Sequence, residues 1–246
     1  MVNRFISIFF WSFALLIGVV MMPLAVVVWA LTAPWDTRRA VMHRFTCFWG
    51  SLYTWFNPLW SVRVEGRQNI QKGATYVMVA NHASAADILV LYRLFRHFKW
   101  VSKIENFRVP IVGWNMRLNR YIPLRRGDKT SVLKMLDSCR RELATGSSVM
   151  MFPEGTRTRP GQPMSLQRGA ANIAVRGARD ITPVRIHCDP LMLPKGRPWW
   201  QVPPRRPHFT IRVEEDIAIA PFLAEGEEAR SARELTRVLH EYFETS

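Results

Sequence analysis

Tyr76-Val77-Met78-Val79-Ala80-Asn81-His82-Ala83-Ser84-Ala85-Ala86-Asp87-Ile88-Leu89-Val90-Leu91 reads as strand, loop and helix in sixteen residues. The apolar run through Ala80 has strand length and β-branched content. Ile88, Leu91, Tyr92 and Phe95 then recur at helical spacing. His82 therefore leaves a strand end and Asp87 opens a helix, and the loop between them can bring carboxylate to imidazole. A carboxylate on one ring nitrogen fixes the tautomer and stabilises the imidazolium, which leaves the other nitrogen to take a proton from a hydroxyl. The bland alternative is that Asp87 only caps the helix.

The same strand-to-motif pattern recurs downstream. Val149–Phe152 is an apolar strand followed by Pro153-Glu154-Gly155-Thr156-Arg157. Gly155 permits a tight turn, and Arg157 offers a planar fork suited to phosphate. Tyr121-Ile122-Pro123-Leu124-Arg125-Arg126 places two more guanidinium groups after a strand. In a sheet of this kind, ligands bind beyond the carboxyl ends of strands, so two or three such motifs in one chain outweigh the reading of each as a surface turn.

Seven β-rich runs are expected: 61–65, 75–80, 99–102, 121–124, 148–152, 182–187 and 209–213. Helical patterns lie between several of them, including Val132, Met135, Leu136, Cys139 and Leu143, and a last one at Leu235, Val238, Leu239, Tyr242 and Phe243. Strands alternating with helices argue for a layered α/β domain. Residues 190–207, rich in Pro, Trp, Lys and Arg, read as an irregular loop or insertion.

Ahead of this domain, residues 5–31 carry no charge. About 20 residues suffice to cross a bilayer, whereas a signal peptide's apolar core runs to about 7–15. The segment is expected to insert in a membrane, as one helix or as a hairpin turned at Pro23. Arg38, Arg39 and Arg44 follow it against the single Arg4 before it, which places the remainder of the chain on the cytoplasmic side of the inner membrane. A second stretch, 45–60, holds Phe45, Phe48, Trp49, Tyr53, Trp55, Phe56 and Trp60. It is too short to span. Two readings stand for it, a helix in the headgroup region and a helix packed on the domain. The expected organisation is an anchoring segment, 1–60, and a catalytic domain, 61–246.

Composition narrows the partners. The 246 residues include 34 Lys and Arg against 19 Asp and Glu, a formal charge of +15. Such a charge calls for an anionic partner, nucleic acid or membrane. No nucleic-acid reader motif is present, and the uncharged segment favours membrane lipids. Three cysteines, Cys47, Cys139 and Cys188, make no disulfide framework. No cluster has metal-ligand spacing, so neither metal nor cofactor is expected.

Taken together, Asn81-His82-(x4)-Asp87 and Phe152-Pro153-Glu154-Gly155-Thr156-Arg157 resemble the glycerolipid acyltransferase family, typified by 1-acylglycerol-3-phosphate acyltransferases. The likeness runs over about residues 60–220. Arg126 falls at the middle arginine motif, Arg168-Gly169-Ala170 at a Lys-Gly-Ala element and Ile181-Thr182-Pro183-Val184 at a last proline-centred strand. Asn119-Arg120 stands where a Gly is usual, and Arg125 where Asp or a small residue is common. The resemblance implies a mixed sheet flanked by helices and acyl transfer from acyl-CoA or acyl carrier protein to the hydroxyl of a lysophospholipid. His82 would be the base and Asp87 its orienter. Asn81, Arg126, Glu154, Gly155, Thr156 and Arg157 would bind the acceptor, and Lys103 would serve as the oxyanion donor. Lysophosphatidic acid is the default acceptor. A lyso-ornithine lipid, a glycolipid or a specialised polyene lipid stays open, as does a non-enzymatic membrane scaffold.

Overall fold

The computed structural model describes residues 2–56, 60–198, 200–201, 203, 205–223 and 226–244. Seven strands form one sheet: β1 (Ser61–Glu65), β2 (Val77–Ala80), β3 (Phe98–Lys103), β4 (Ile122–Leu124), β5 (Ser148–Met151), β6 (Ile181–Asp189) and β7 (His208–Val213). Their order is β1-β7-β6-β2-β5-β3-β4. All neighbours are parallel except β6 and β7. The expected seven strands are all present, with ends moved by a residue or two, and the mixed layered architecture is as the sequence implied.

The central strands β2 and β5 are buried at every position. A strand covered on both faces has no polar side to alternate with. One face carries Met78, Ala80, Phe98, Trp100 and Met150. The other carries Val77, Val79, Val101, Val149 and Met151 under the helices α5 (Lys129–Ala144), α6 (Gly169–Gly177) and α7 (Glu228–Glu244). Asp128 caps α5 by accepting from the amides of Thr130 and Ser131. Two shorter helices complete the domain, α3 (Asp87–Leu91) and α4 (Val112–Leu118).

The apolar N-terminal segment is a single helix, α1 (Val2–Thr32), with Pro23 inside it, so the hairpin alternative does not hold. At 1.5 Å per residue it is about 46 Å long. Residues 7–32 have a mean hydropathy of 2.6 at their most apolar, and only 22% of that window is buried. Phe5, Phe9, Leu15, Leu16 and Leu31 are each more than half exposed, the length and surface of a membrane anchor.

Helix α2 (Ala40–Trp55) carries most of the aromatic stretch and packs on the domain through one face. Met42, Cys47, Trp49 and Gly50 are buried against α1 and the domain. Gly50 is required there, because a Cβ would lie 2.5 Å from the Tyr92 ring. Phe48, Trp55 and Phe56 remain exposed on the other side. His43 on the buried face donates from Nε2 to the Arg96 carbonyl (3.1 Å) and takes a hydrogen bond at Nδ1 from the Tyr121 hydroxyl (2.8 Å). Burial holds its pKa well below the usual imidazole value, so it is a neutral structural group.

Asn119-Arg120 closes α4 in a way that accounts for the Gly usual at this place. Arg120 has φ +54°, in the left-handed region. The side chain of Asn119 ties to Thr46 (2.9 Å) and Asn115 (2.7 Å), and the backbone carbonyl of Asn119 accepts from the buried Lys99 ammonium at 2.7 Å. Those contacts hold α2, α4 and β3 together.

Candidate active site

Because β2, β3, β4, β5 and β6 run parallel, their carboxyl ends share one edge of the sheet. Each motif singled out in the sequence leaves one of these ends. β2 and β5 are direct neighbours, with Val79 level with Met151, so the loops carrying His82 and Glu154 emerge side by side.

The His82 Nδ1 lies 2.9 Å from Asp87 Oδ2. That oxygen also accepts from the amides of Ala83 (2.9 Å) and Ser84 (2.8 Å). The side chain of Asp87 is 2% exposed and that of His82 13%. Three donors converge on this one oxygen of a buried carboxylate. The imidazole therefore carries its proton on Nδ1 and presents Nε2 as an acceptor, and Nε2 has no partner among the described residues. Underneath, the ring stacks on Phe152 with centroids 3.9 Å apart and planes 12° apart. Phe152 packs in turn on Trp100 at 5.3 Å. An apolar floor of this kind fixes the ring plane. Asp87 is the first residue of α3, but its carboxylate turns back to the loop and the imidazole and caps no helix amide.

Glu154 departs from the expected substrate contact. It is 6% exposed. Its Oε1 accepts from the backbone N–H of His82 at 2.6 Å, and its Oε2 accepts from the Thr158 hydroxyl. The Thr158 amide returns a hydrogen bond to the His82 carbonyl (2.8 Å). Glu154 is thus a clamp between the two motif loops. Burial raises its pKa above the usual carboxylate value, against the Thr158 and His82 hydrogen bonds. Gly155 has φ +68°, which makes the turn that aims Glu154 inward and Thr156 outward.

Asn81 likewise faces the fold. It donates from Nδ2 to the Ile186 carbonyl (2.9 Å) and accepts the Ile186 amide at Oδ1 (2.7 Å). It fastens the end of β2 to β6 and so sets where His82 begins.

The basic residues divide. Arg157 is half-buried and donates from one amino group to the Leu193 carbonyl at 3.0 Å. The rest of its fork is open. Arg125 and Arg126 are both exposed beyond β4, and the Arg126 side chain has no partner among the described residues. β4 lies three strands from β2, roughly 14 Å at the usual strand spacing. Lys103 is not brought to the pair. Alternation along β3 puts it on the face of Val101, opposite that of Trp100 and Phe152, and its ammonium lies 3.6 Å from the Glu105 carboxylate. The oxyanion role expected of it has no geometric support. Among the described residues no group of His, Cys, Asp and Glu is arranged to hold a metal ion.

Comparison with known proteins decides the family. A family model described as Acyltransferase matches residues 61–187, just over half of the chain. The chain belongs to the acyltransferase family. A 1-acyl-sn-glycerol-3-phosphate acyltransferase of Chlamydomonas reinhardtii is 36% identical over 197 residues, 79% of this chain and 58% of that protein. A chloroplastic 1-acyl-sn-glycerol-3-phosphate acyltransferase of Arabidopsis thaliana is 34% identical over 160 residues, 65% of this chain and 44% of that protein. The chain spans about half the length of these curated relatives. The crystal structure of the 1-acyl-sn-glycerophosphate acyltransferase PlsC from Thermotoga maritima shares the fold. Its TM-score is 0.73 at 24% identity, over 99% of this chain and 97% of that one.

Proposed function

We propose that this acyltransferase moves an acyl chain from a thioester donor, acyl-CoA or acyl carrier protein, to the free hydroxyl of 1-acylglycerol 3-phosphate, giving phosphatidic acid. The observation that carries the reading is the His82–Asp87 pair with its unpartnered Nε2, set beside the open fork of Arg157. Both named relatives are 1-acyl-sn-glycerol-3-phosphate acyltransferases, which favours lysophosphatidic acid over the other acceptors.

In this mechanism the Nε2 of His82 takes the proton of the acceptor hydroxyl as its oxygen attacks the thioester carbonyl. A carbon–oxygen bond forms and a tetrahedral oxyanion results. The carbon–sulfur bond then breaks, and the departing thiolate receives the proton from the imidazolium. Asp87 offsets the imidazolium charge while it exists. No metal or redox group is called for. Arg157 holds the acceptor's phosphate, and Arg126 adds to it only where the acceptor reaches across to β4. The helix α1 and the exposed aromatics of α2 keep the domain on the inner membrane, facing the cytoplasm, where amphiphilic substrate and product reside.

The test is to incubate the membrane-reconstituted chain with radiolabelled acyl-CoA or acyl carrier protein and a panel of lyso-acceptors. Labelled phosphatidic acid, lost in His82→Ala, is expected. Labelling of another acceptor in preference would refute the substrate, and full turnover by folded His82→Ala would refute the mechanism.

A further inference from the structure

The segment between β6 and β7 read as an irregular insertion, yet it is fastened to the catalytic loops at several points. The Leu193 carbonyl accepts from the Ala85 amide (3.2 Å) and from Arg157 (3.0 Å). Pro194 bridges to Ser84. Further along, the Trp200 carbonyl accepts from the Ser7 hydroxyl of α1 at 2.7 Å. Between these ties, the Arg197 amide returns to the Pro194 carbonyl at 3.4 Å, and Gly196 has φ +87°. A glycine with positive φ at the third position defines a type II turn, and Lys195 occupies its second position. The side chain of Lys195 leaves this fixed corner and donates from Nζ to the Thr156 hydroxyl at 2.9 Å.

We infer that Lys195 is a specificity-determining residue that, with Arg157, seats the phosphate monoester of the acceptor; this rests on the proposed acylation of 1-acylglycerol 3-phosphate. Charge balance supports it. Among the described residues neither Lys195 nor Arg157 has a carboxylate partner. The nearest acid in the loop, Glu154, is already engaged by His82 and Thr158. Two cations held by one strap with no anion between them leave a site that a dianionic headgroup fills.

Position selects the acceptor over the donor. Thr156 lies two residues from Glu154, which holds the backbone of His82. In a glycerol phosphate the free hydroxyl is on the carbon next to the phosphate-bearing one, so its phosphate must sit close to the imidazole. The phosphates of an acyl-CoA, or the phosphopantetheine phosphate of a carrier protein, lie a full pantetheine arm away from the thioester carbonyl.

The experiment compares the full chain in lipid nanodiscs with its Lys195→Ala and Lys195→Arg variants. Acceptors are 1-oleoylglycerol 3-phosphate and 1-oleoylglycerol, with acyl donor varied separately. Lys195→Ala is expected to raise KM for the phosphate acceptor about tenfold, as for loss of one hydrogen bond to a charged group. Preference for the phosphate acceptor over the neutral one should fall by the same factor, with KM for donor unmoved and Lys195→Arg recovering most of the loss. An unchanged acceptor KM, an equal rise for both acceptors, or a rise confined to the donor would overturn the assignment. A second readout, the melting-temperature gain on adding glycerol 3-phosphate, decides the site independently of turnover. If the wild type does not acylate 1-oleoylglycerol 3-phosphate, the proposed function fails. Protection that is lost in Lys195→Ala still supports the phosphate seat, and protection equal in both proteins sinks it.

Discussion

Replacing Glu154 by Gln separates a clamp from a substrate contact, because it keeps the shape and removes the charge. Two hydrogen bonds end on this carboxylate, from the His82 amide and from the Thr158 hydroxyl. Hydrogen bonds to a charged group contribute about 1.5–3 kcal/mol and neutral ones about 0.5–1.5, so each weakens by about 1 kcal/mol. About 2 kcal/mol lost from the placement of His82 corresponds to roughly a 30-fold fall in rate. The loss should appear in kcat, because the imidazole is misplaced for every bound acceptor and an anion beside the imidazolium is gone. Stability should move the other way. Burial raises the pKa of Glu154 in the folded chain above its unfolded value. A raised pKa means the folded state binds the proton more tightly. The stabilising contribution is then complete below the unfolded carboxyl pKa and is lost as pH rises through the folded one. Near neutral pH the ionised Glu154 is a net cost, and Gln removes it.

Glu154→Gln should therefore melt no lower than wild type at neutral pH while its kcat falls, and its melting-temperature advantage should shrink as the buffer is acidified through the carboxylate range. Steady-state kinetics with donor and acceptor varied separately, alongside thermal melts over that pH range, check both halves. An unchanged kcat with a raised acceptor KM would show that Glu154 touches substrate, and a melting temperature several degrees lower at neutral pH would refute the burial argument.

Three further outcomes are expected. His82→Ala abolishes transfer in a folded protein, and Asp87→Asn reduces kcat on the order of 10³–10⁴-fold, as when the carboxylate of a catalytic triad is neutralised; near-normal kcat in Asp87→Asn would mean that the carboxylate only ties the loop at Ala83 and Ser84. Arg157→Ala raises the acceptor KM by roughly ten- to a hundredfold. Arg126→Ala does so as well if the acceptor reaches across to β4, and a larger effect from Arg125→Ala than from Arg126→Ala would shift the register of that motif by one. Deletion of residues 2–32 leaves part of the protein on liposomes in flotation, because Phe48, Trp55 and Phe56 stay exposed on α2; complete release would show that this face does not meet lipid.

The elements were legible because each has a local signature, while their arrangement was not. Val77–Ala80 and Ser148–Met151 are short apolar runs that announce buried strands, but nothing in either run says that they lie next to each other. Nor does the sequence announce that β7 and β1, parallel to each other, run antiparallel to the other five strands. The His82–Asp87 pair was readable because only four residues separate the partners and a helix start joins them. Contacts across distance were not. Asn81 meets Ile186, 105 residues away, and Glu154 meets the backbone of His82, 72 residues away. In both cases the resemblance implied a substrate contact, and the fold uses the side chain to satisfy backbone groups at a strand end, where unpaired N–H groups are costly.

Lys103 lies away from the His82–Asp87 pair for a related reason. Its distance in sequence from the strand was right, but alternation along β3 puts it on the face of the sheet opposite the stacked imidazole. Lys195 was invisible because a turn in a Pro- and Trp-rich insertion has no periodicity to read. The strap carrying Lys195 nonetheless leaves the carboxyl end of β6, the strand adjoining β2. Parallel strands deliver their following loops to one edge of the sheet, so a residue far in sequence and outside any recognisable motif reaches the loop that carries the clamp on His82. That edge, rather than the motif list, defines where the remaining determinants of acceptor choice are to be sought, and Lys195 is the first that its geometry names.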